Sequence, residues 1–262
     1  MSFAAASTFA QVGPSEHRGT LDAAWAQGRG AYGGLVAAIL ARAVERDAPA
    51  GQSLASLTVS FCAPAAPGEA VVRTEVVRAG RNASVLRAVL AREGAVVATA
   101  LATCMRLRTE ALGYDDLAMP AVPGPDEVAE GPPELAIPAF AKFFEFRQCL
   151  GTRPFSGAHE ARVGGWCQLR EDAVIDRALA CALLDAWPPA AASLAPAWCP
   201  VASLEIRYDF LDVRGDTGWT LYDARSRFVS GGLADERATL WTHEGRAIAI
   251  ATQRIAIFPS PA

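Results

Sequence analysis

The chain has 262 residues, long for one ordinary domain and suited to two small ones. Hydrophobic residues make up 52%, enough for a sizeable core, and the net charge of −4 comes without a basic tail, which argues against non-specific nucleic-acid binding. Charged residues at 20% and aromatics at 8% exclude a disordered or low-complexity chain.

In chain order, the first signal is Trp25, read as part of a short strand, ahead of Gly28-Arg29-Gly30-Ala31-Tyr32-Gly33. This is a literal G-x-G-x-x-G. A dinucleotide site needs a β-branched strand before it and βαβ units after it, whereas Leu21 to Gln27 is no such strand and hairpins follow. Glycines at a helix start have another use, since they expose amides at the positive end of the dipole. A helix is predicted over 34–46, then strands near 54–62, 70–79, 83–92 and 95–107. Turns at Gly80 and Glu93-Gly94 join the last three as hairpins.

Thr109 to Pro138 holds Pro120, Pro123, Pro125, Pro132, Pro133 and Pro138 among acidic residues, a composition that predicts an extended linker rather than a packed element. The expected division is therefore 1–110, a linker over 111–135, and 136–262. In the second part a short strand carries Trp166, a helix runs from Asp176 to about Trp187, and strands follow near 201–211, 218–228, 234–242 and 246–258. The uncharged run from Ala186 to Leu204 contains Pro188, Pro189, Pro196 and Pro200, so it is no clean membrane-spanning helix. The N-terminus lacks the Lys/Arg-led apolar stretch of a secretory signal. Cysteines 62, 104, 149, 167, 181 and 199 form no Cys-x-x-Cys pair and read as reduced thiols, most of them buried. The expectation is a cytoplasmic protein with no membrane and no nucleic-acid partner.

The two parts repeat. Ala55-Ser56-Leu57-Thr58-Val59-Ser60-Phe61 resembles Ala202-Ser203-Leu204-Glu205-Ile206-Arg207-Tyr208, and the same spacing carries Gly68-Glu69 onto Gly215-Asp216. Glu93-Gly94 matches Glu244-Gly245, and Val97-Ala98 matches Ile248-Ala249. One helix plus an antiparallel meander, present twice, is α+β. No G-x-S-x-G occurs, so a serine hydrolase of the nucleophile-elbow type is set aside. His17, His159 and His243 lack metal-ligand spacing and read as structural or surface residues.

The chain resembles the tandem hot-dog acyl-CoA thioesterases of the thioesterase II type. In the first copy Tyr32-Gly33-Gly34 before Leu35-Val36-Ala37-Ala38, and Arg78-Ala79-Gly80-Arg81, carry the likeness. In the second they are Asp185-Ala186-Trp187-Pro188-Pro189, Gly231-Gly232 to Leu240-Trp241, and Ala251-Thr252-Gln253. The resemblance implies a double hot-dog in which a curved antiparallel sheet wraps a long helix in each repeat. It also implies hydrolysis of a fatty or related acyl-CoA in lipid metabolism, without cofactor or metal. A water held by Asp185, Gln253 and Ser203 would attack the thioester. The acyl chain would lie in an apolar tunnel and CoA would reach in from the surface. Tyr32, Gly33, Gly34, Arg78 and Arg81 are the expected substrate-binding residues, with the Gly33 and Gly34 amides, or alternatively the second helix, as oxyanion hole. A homodimer is among the assemblies this allows.

The residues can also be judged without the family. The apolar run Ala178 to Leu184 ends at Asp185 and prolines follow, which puts a carboxylate at a helix C-terminus, where dipole and burial both raise its pKa. Alternation from Ala247 to Ile257 puts Gln253 on an apolar face, where an amide needs partners. Alternation puts Ser203 with Glu205, Arg207 and Asp209 on the wetter face unless a bulge intervenes. In the first copy Ala102 stands at the Gln253 position, Ser56 at the Ser203 position, and no carboxylate between Ala38 and Val44 answers Asp185. The first copy is thus expected to be catalytically empty. The alternatives are a non-catalytic acyl-ligand binder and a hot-dog hydratase, the latter set aside because Asn82, the sole asparagine, is followed by Ala83.

Overall fold

The computed structural model describes residues 1–108, 112–131 and 138–258. Thr109, Pro132 and Pro133 of the expected linker, and its boundary at 135, lie outside these residues.

Helix α1 (Phe3–Ser7) leads into strands β1 (Ala10–Gly13) and β2 (Glu16–Leu21). Helix α2 (Gly33–Asp47) is followed by β3 (Ser53–Phe61), β4 (Gly68–Arg78), β5 (Ala83–Arg92) and β6 (Ala95–Met105). The second half repeats the plan. Strands β7 (Phe144–Gly151) and β8 (Arg162–Leu169) precede α3 (Arg177–Leu184). Then come β9 (Val201–Phe210), β10 (Thr220–Arg225), β11 (Leu233–Thr242) and β12 (Ala247–Ile257).

Period-two patterning builds the strands: β5 buries Leu86, Ala88 and Leu90 while Arg87 faces out. The strands form one antiparallel sheet in the order β1-β2-β4-β5-β6-β3-β9-β12-β11-β10-β8-β7, with the short strand Val229–Ser230 added beside β11. The order reads nearly the same from either end. The halves meet where β3 pairs with β9, Val59 opposite Ile206 and Leu57 opposite Tyr208. This junction removes an exposed edge from each half.

Both helices lie on the same side of the sheet. Helix α2 buries an almost unbroken run from Gly34 to Ala41, and α3 buries every residue from Ala178 to Leu184. Their small residues let them approach closely: a Cβ on Gly34 would stand 2.9 Å from the Cα of Ala182. Asp176 caps α3 by accepting the Leu179 N–H at 2.8 Å.

Three expectations need correction. Trp25 lies in a single 3-10 turn, Ala23–Trp25, whereas Trp166 sits in β8, so the two tryptophans are not counterparts. Part of the proline-rich segment is packed: Leu117, Met119, Val122 and Val128 cover a cluster of Leu150, Trp166, Leu221 and Trp241. The Trp166 Nε1–H donates to the Pro123 carbonyl at 2.8 Å. Proline-rich backbone is extended, yet its apolar side chains still find a partner on the outer face of the sheet.

The third correction is the repeat register. Each central strand carries a bulge, between Leu54 and Ser56 in β3 and between Ser203 and Glu205 in β9. With bulges and Glu-Gly turns superposed, Ser203 matches Leu54, not Ser56, while Gln253 still matches Ala102. A two-residue shift is invisible to period-two patterning, because it keeps every side chain on its face.

Candidate active site between the repeats

Asp185 is the C-cap of α3, its N–H bonded to the carbonyls of Ala182 and Leu183. Its carboxylate reaches the N-terminus of α2 in the other half: a Cβ on Gly33 would stand 2.7 Å from Oδ2. Tyr32, the N-cap of α2, makes no side-chain capping bond. The acid of one repeat thus occupies the helix terminus that the other repeat leaves open.

Gln253 on β12 and Ser203 on β9 complete the cluster. Gln253 Nε2 donates to Asp185 Oδ1 at 3.3 Å and makes a close contact with Ser203 Oγ. Ser203 turns inward because the bulge leaves Leu204 exposed at 42% and restores alternation at Ile206. The wetter-face placement from strict alternation is corrected by that bulge. Gln253 keeps its expected face, with Ala249 and Ala251 buried and Thr252 and Arg254 exposed on either side.

Burial pushes Asp185 up from its usual range to about 7. The Gly34 backbone N–H opposes that rise, Glu236 reinforces it, and Gln253 and Ser203 oppose it. Asp185 therefore sits between the negative end of its own helix and the positive end of the other.

Glu236 on β11 was not singled out from sequence. It is 4% exposed and faces Gln253 directly across β11 and β12. It accepts from the Ala190 N–H and from the Tyr222 hydroxyl, the latter at 3.2 Å. Burial pushes it up to about 7. A signal was present, since alternation places it with the apolar Ala234, Ala238 and Leu240. Buried Tyr32, Tyr208 and Tyr222 all feel the Asp185 charge, and the hydroxyls of Tyr32 and Tyr208 have no hydrogen-bond partner. The surroundings are aromatic: Tyr32 stacks on Phe140 at 4.0 Å and Trp187 on Tyr222 at 5.8 Å.

Two of the expected substrate contacts are elsewhere. Arg78 and Arg81 are exposed in the hairpin between β4 and β5, beside the Ser53 end of β3 through Met105 and Ala83. Phe61, at the opposite end of β3, lies with Asp185 against Gly33, where an added Cβ would stand 3.0 Å from its ring. The hairpin is thus separated from Asp185 by the length of β3, and these two arginines are not brought together with Asp185, Gln253 and Ser203. The Gly34 amide is turned toward Asp185, leaving Gly33 as the other candidate donor. Among the described residues no group of three His, Cys, Asp or Glu side chains is placed to hold a metal ion. His17 is buried against Asp47, and the His243 ring packs 5.3 Å from that of Trp166, both structural settings.

Two antiparallel meanders joined in one sheet around two helices define a double hot-dog protein. Several solved structures share that fold. One is a conserved protein of unknown function with a hot dog fold from Alicyclobacillus acidocaldarius, 25% identical over 100% of this chain and 99% of that one, TM-score 0.88. Another is the acyl-CoA thioesterase II TesB2 of Mycobacterium marinum, 20% identical over 100% and 99%, TM-score 0.79. The tesB protein of Mycobacterium avium subs paratuberculosis is 20% identical over 98% of each chain, TM-score 0.80. No curated protein matches the chain. The sequence matches the acyl-CoA thioesterase N-terminal domain over residues 21–105 and the C-terminal domain over residues 116–257. The chain belongs to the acyl-CoA thioesterase family and is a thioester hydrolase.

Proposed function

We propose that this thioesterase hydrolyses a fatty or related acyl-CoA with one site per chain, using a water held by Asp185, Gln253 and Ser203. The observation that carries the proposal is the meeting of these three side chains at the N-terminus of α2. Asp185 takes a proton from the water as its oxygen attacks the thioester carbonyl. The charge developing on the carbonyl oxygen falls to the first-turn amides of α2, Gly33 foremost. The tetrahedral intermediate then expels the CoA thiolate, and the proton held by Asp185 goes to that sulfur. Gln253 and Ser203 orient the water. A base near 7 suits this work, because about half of it is ionised at neutral pH and it still accepts a proton well.

The first repeat, which we place within residues 1–110, supplies a helix terminus and no catalytic side chain. In register, Leu54 and Ala102 stand where the second repeat has Ser203 and Gln253, and both are buried. The acyl group lies against the aromatic wall of Tyr32, Phe140 and Trp187. Incubation with a panel of acyl-CoAs and a thiol reagent tests the reading. Thiol release is expected for at least one chain type. Tight binding of acyl-CoA with no release would favour the non-catalytic binder.

A further inference from the structure

We propose that Glu236 is a positioning residue for this site: set beside Gln253 and tied to Tyr222 and the Ala190 amide, it holds a second negative charge facing Asp185. The inference rests on the reading of Asp185 as the base.

The comparison between repeats carries it. With bulges superposed, Glu236 matches Leu86 and Tyr222 matches Val72, just as Gln253 matches Ala102. Leu86 and Val72 are fully buried, so the fold needs only apolar side chains at both positions. The second repeat has replaced them with a carboxylate and its hydroxyl donor, next to Gln253. Burying an acid where a leucine serves costs stability, and such locally unfavourable choices are expected at functional sites. Its partners fix its geometry: the 3-10 turn Ala190–Leu194 offers the Ala190 N–H from one side and β10 offers Tyr222 from the other.

The task is electrostatic. Asp185 is faced by Glu236, by Tyr32 of α2, Tyr208 of β9 and Tyr222 of β10, and by Cys181 of its own helix. Glu236 is faced by Tyr222 and by Asp235 of its own strand. Burial raises the tyrosines and the thiol, which stay neutral, so Glu236 is the charged neighbour that opposes ionisation of Asp185. Both carboxyls lie at about 7, so two interacting groups release their protons over one pH range.

The experiment is the pH profile of kcat/KM for wild type and Glu236→Gln, an isosteric change that keeps an acceptor for Ala190. The acid limb of the variant is expected to move down by about half a unit to one unit. At pH 6 its fraction of plateau activity would then rise roughly three- to fivefold. A limb that stays in place, whatever happens to the rate, overturns the proposal by reducing Glu236 to a structural role. A 13C-carboxyl titration of wild type reads the same coupling without turnover. Asp185 and Glu236 should each report the other's proton, and two independent single-step curves would overturn the proposal. If wild type hydrolyses no acyl-CoA while this coupling is present, it is the proposed function that fails.

Discussion

At the scale of residues, the proposed site sets Ser203 and Gln253 where the sister repeat has the buried apolar Leu54 and Ala102, and adds Asp185. Gln253 binds no proton in the proposed reaction and only orients the water, so Gln253→Ala should lower kcat by less than the about 10²–10⁴-fold expected for loss of the base. Steady-state kinetics on the preferred acyl-CoA checks this, and a loss equal to that of Asp185→Asn would give Gln253 a larger role. The two buried acids also set a pH dependence of stability. Both have folded pKa values near 7, above their ordinary 3.8 and 4.5. The folded state therefore binds more protons than the unfolded chain between about pH 4 and 7, and these groups cost stability as pH rises through that window. Glu236→Gln should then show a smaller loss of Tm from pH 5 to pH 8 than wild type, measured by thermal unfolding. Asp185 and Gln253 were legible because each breaks a pattern, one ending an apolar helix and the other interrupting an apolar strand face. Ser203 was obscured by the bulge at Leu204, which strict alternation cannot anticipate. Glu236 breaks the pattern of β11 as plainly, but between Asp235 and Arg237 the local composition is that of a charged surface.

At the scale of elements, helix α2 does for the second repeat what it cannot do for its own. Its first turn is bare of side chains at Gly33, and this lets the Asp185 carboxylate approach. Gly33→Ala puts a methyl into the 2.7 Å gap at Oδ2 and against Phe61. A displacement of that size should reduce kcat by about 10²-fold with little change in thermal stability, and unchanged turnover would show that α2 does not position the acid. The other end of α2 is locked differently. Asp47 accepts from the Thr74 hydroxyl and bonds His17 Nε2 at 2.7 Å, joining the helix to β2 and β4. His17 is 1% exposed, so Asp47→Ala leaves buried polar groups unpaired and should cost about 1–3 kcal/mol in chemical unfolding, without altering KM. The helices and most strands were readable from period and turns, and β5 falls where alternation put it. The Asp47 contacts were not, because they join residues far apart in the chain. The glycines before α2 showed a helix start; that its client is an acid from the other repeat needs the sheet junction to be known.

At the scale of the whole molecule, duplication is the organising fact. Repeated Glu-Gly turns and paired helices made two copies visible in the sequence, and the continuous sheet through β3 and β9 follows from their need to cover an edge. The exact register between copies was out by two residues at β3, and with it the counterpart of Ser203. Among the described residues no helix is long and apolar enough to cross a membrane. In the proposed mechanism the two repeats would act as a pair, one lending a helix terminus and the other the side chains. The most direct measurement of that account is acyl-CoA hydrolysis by Asp185→Asn, with circular dichroism to verify the fold. An amide cannot take the proton of the attacking water, so kcat should fall by about 10²–10⁴-fold while the protein stays folded. Hydrolysis at the wild-type rate would place the chemistry elsewhere and contradict the assignment.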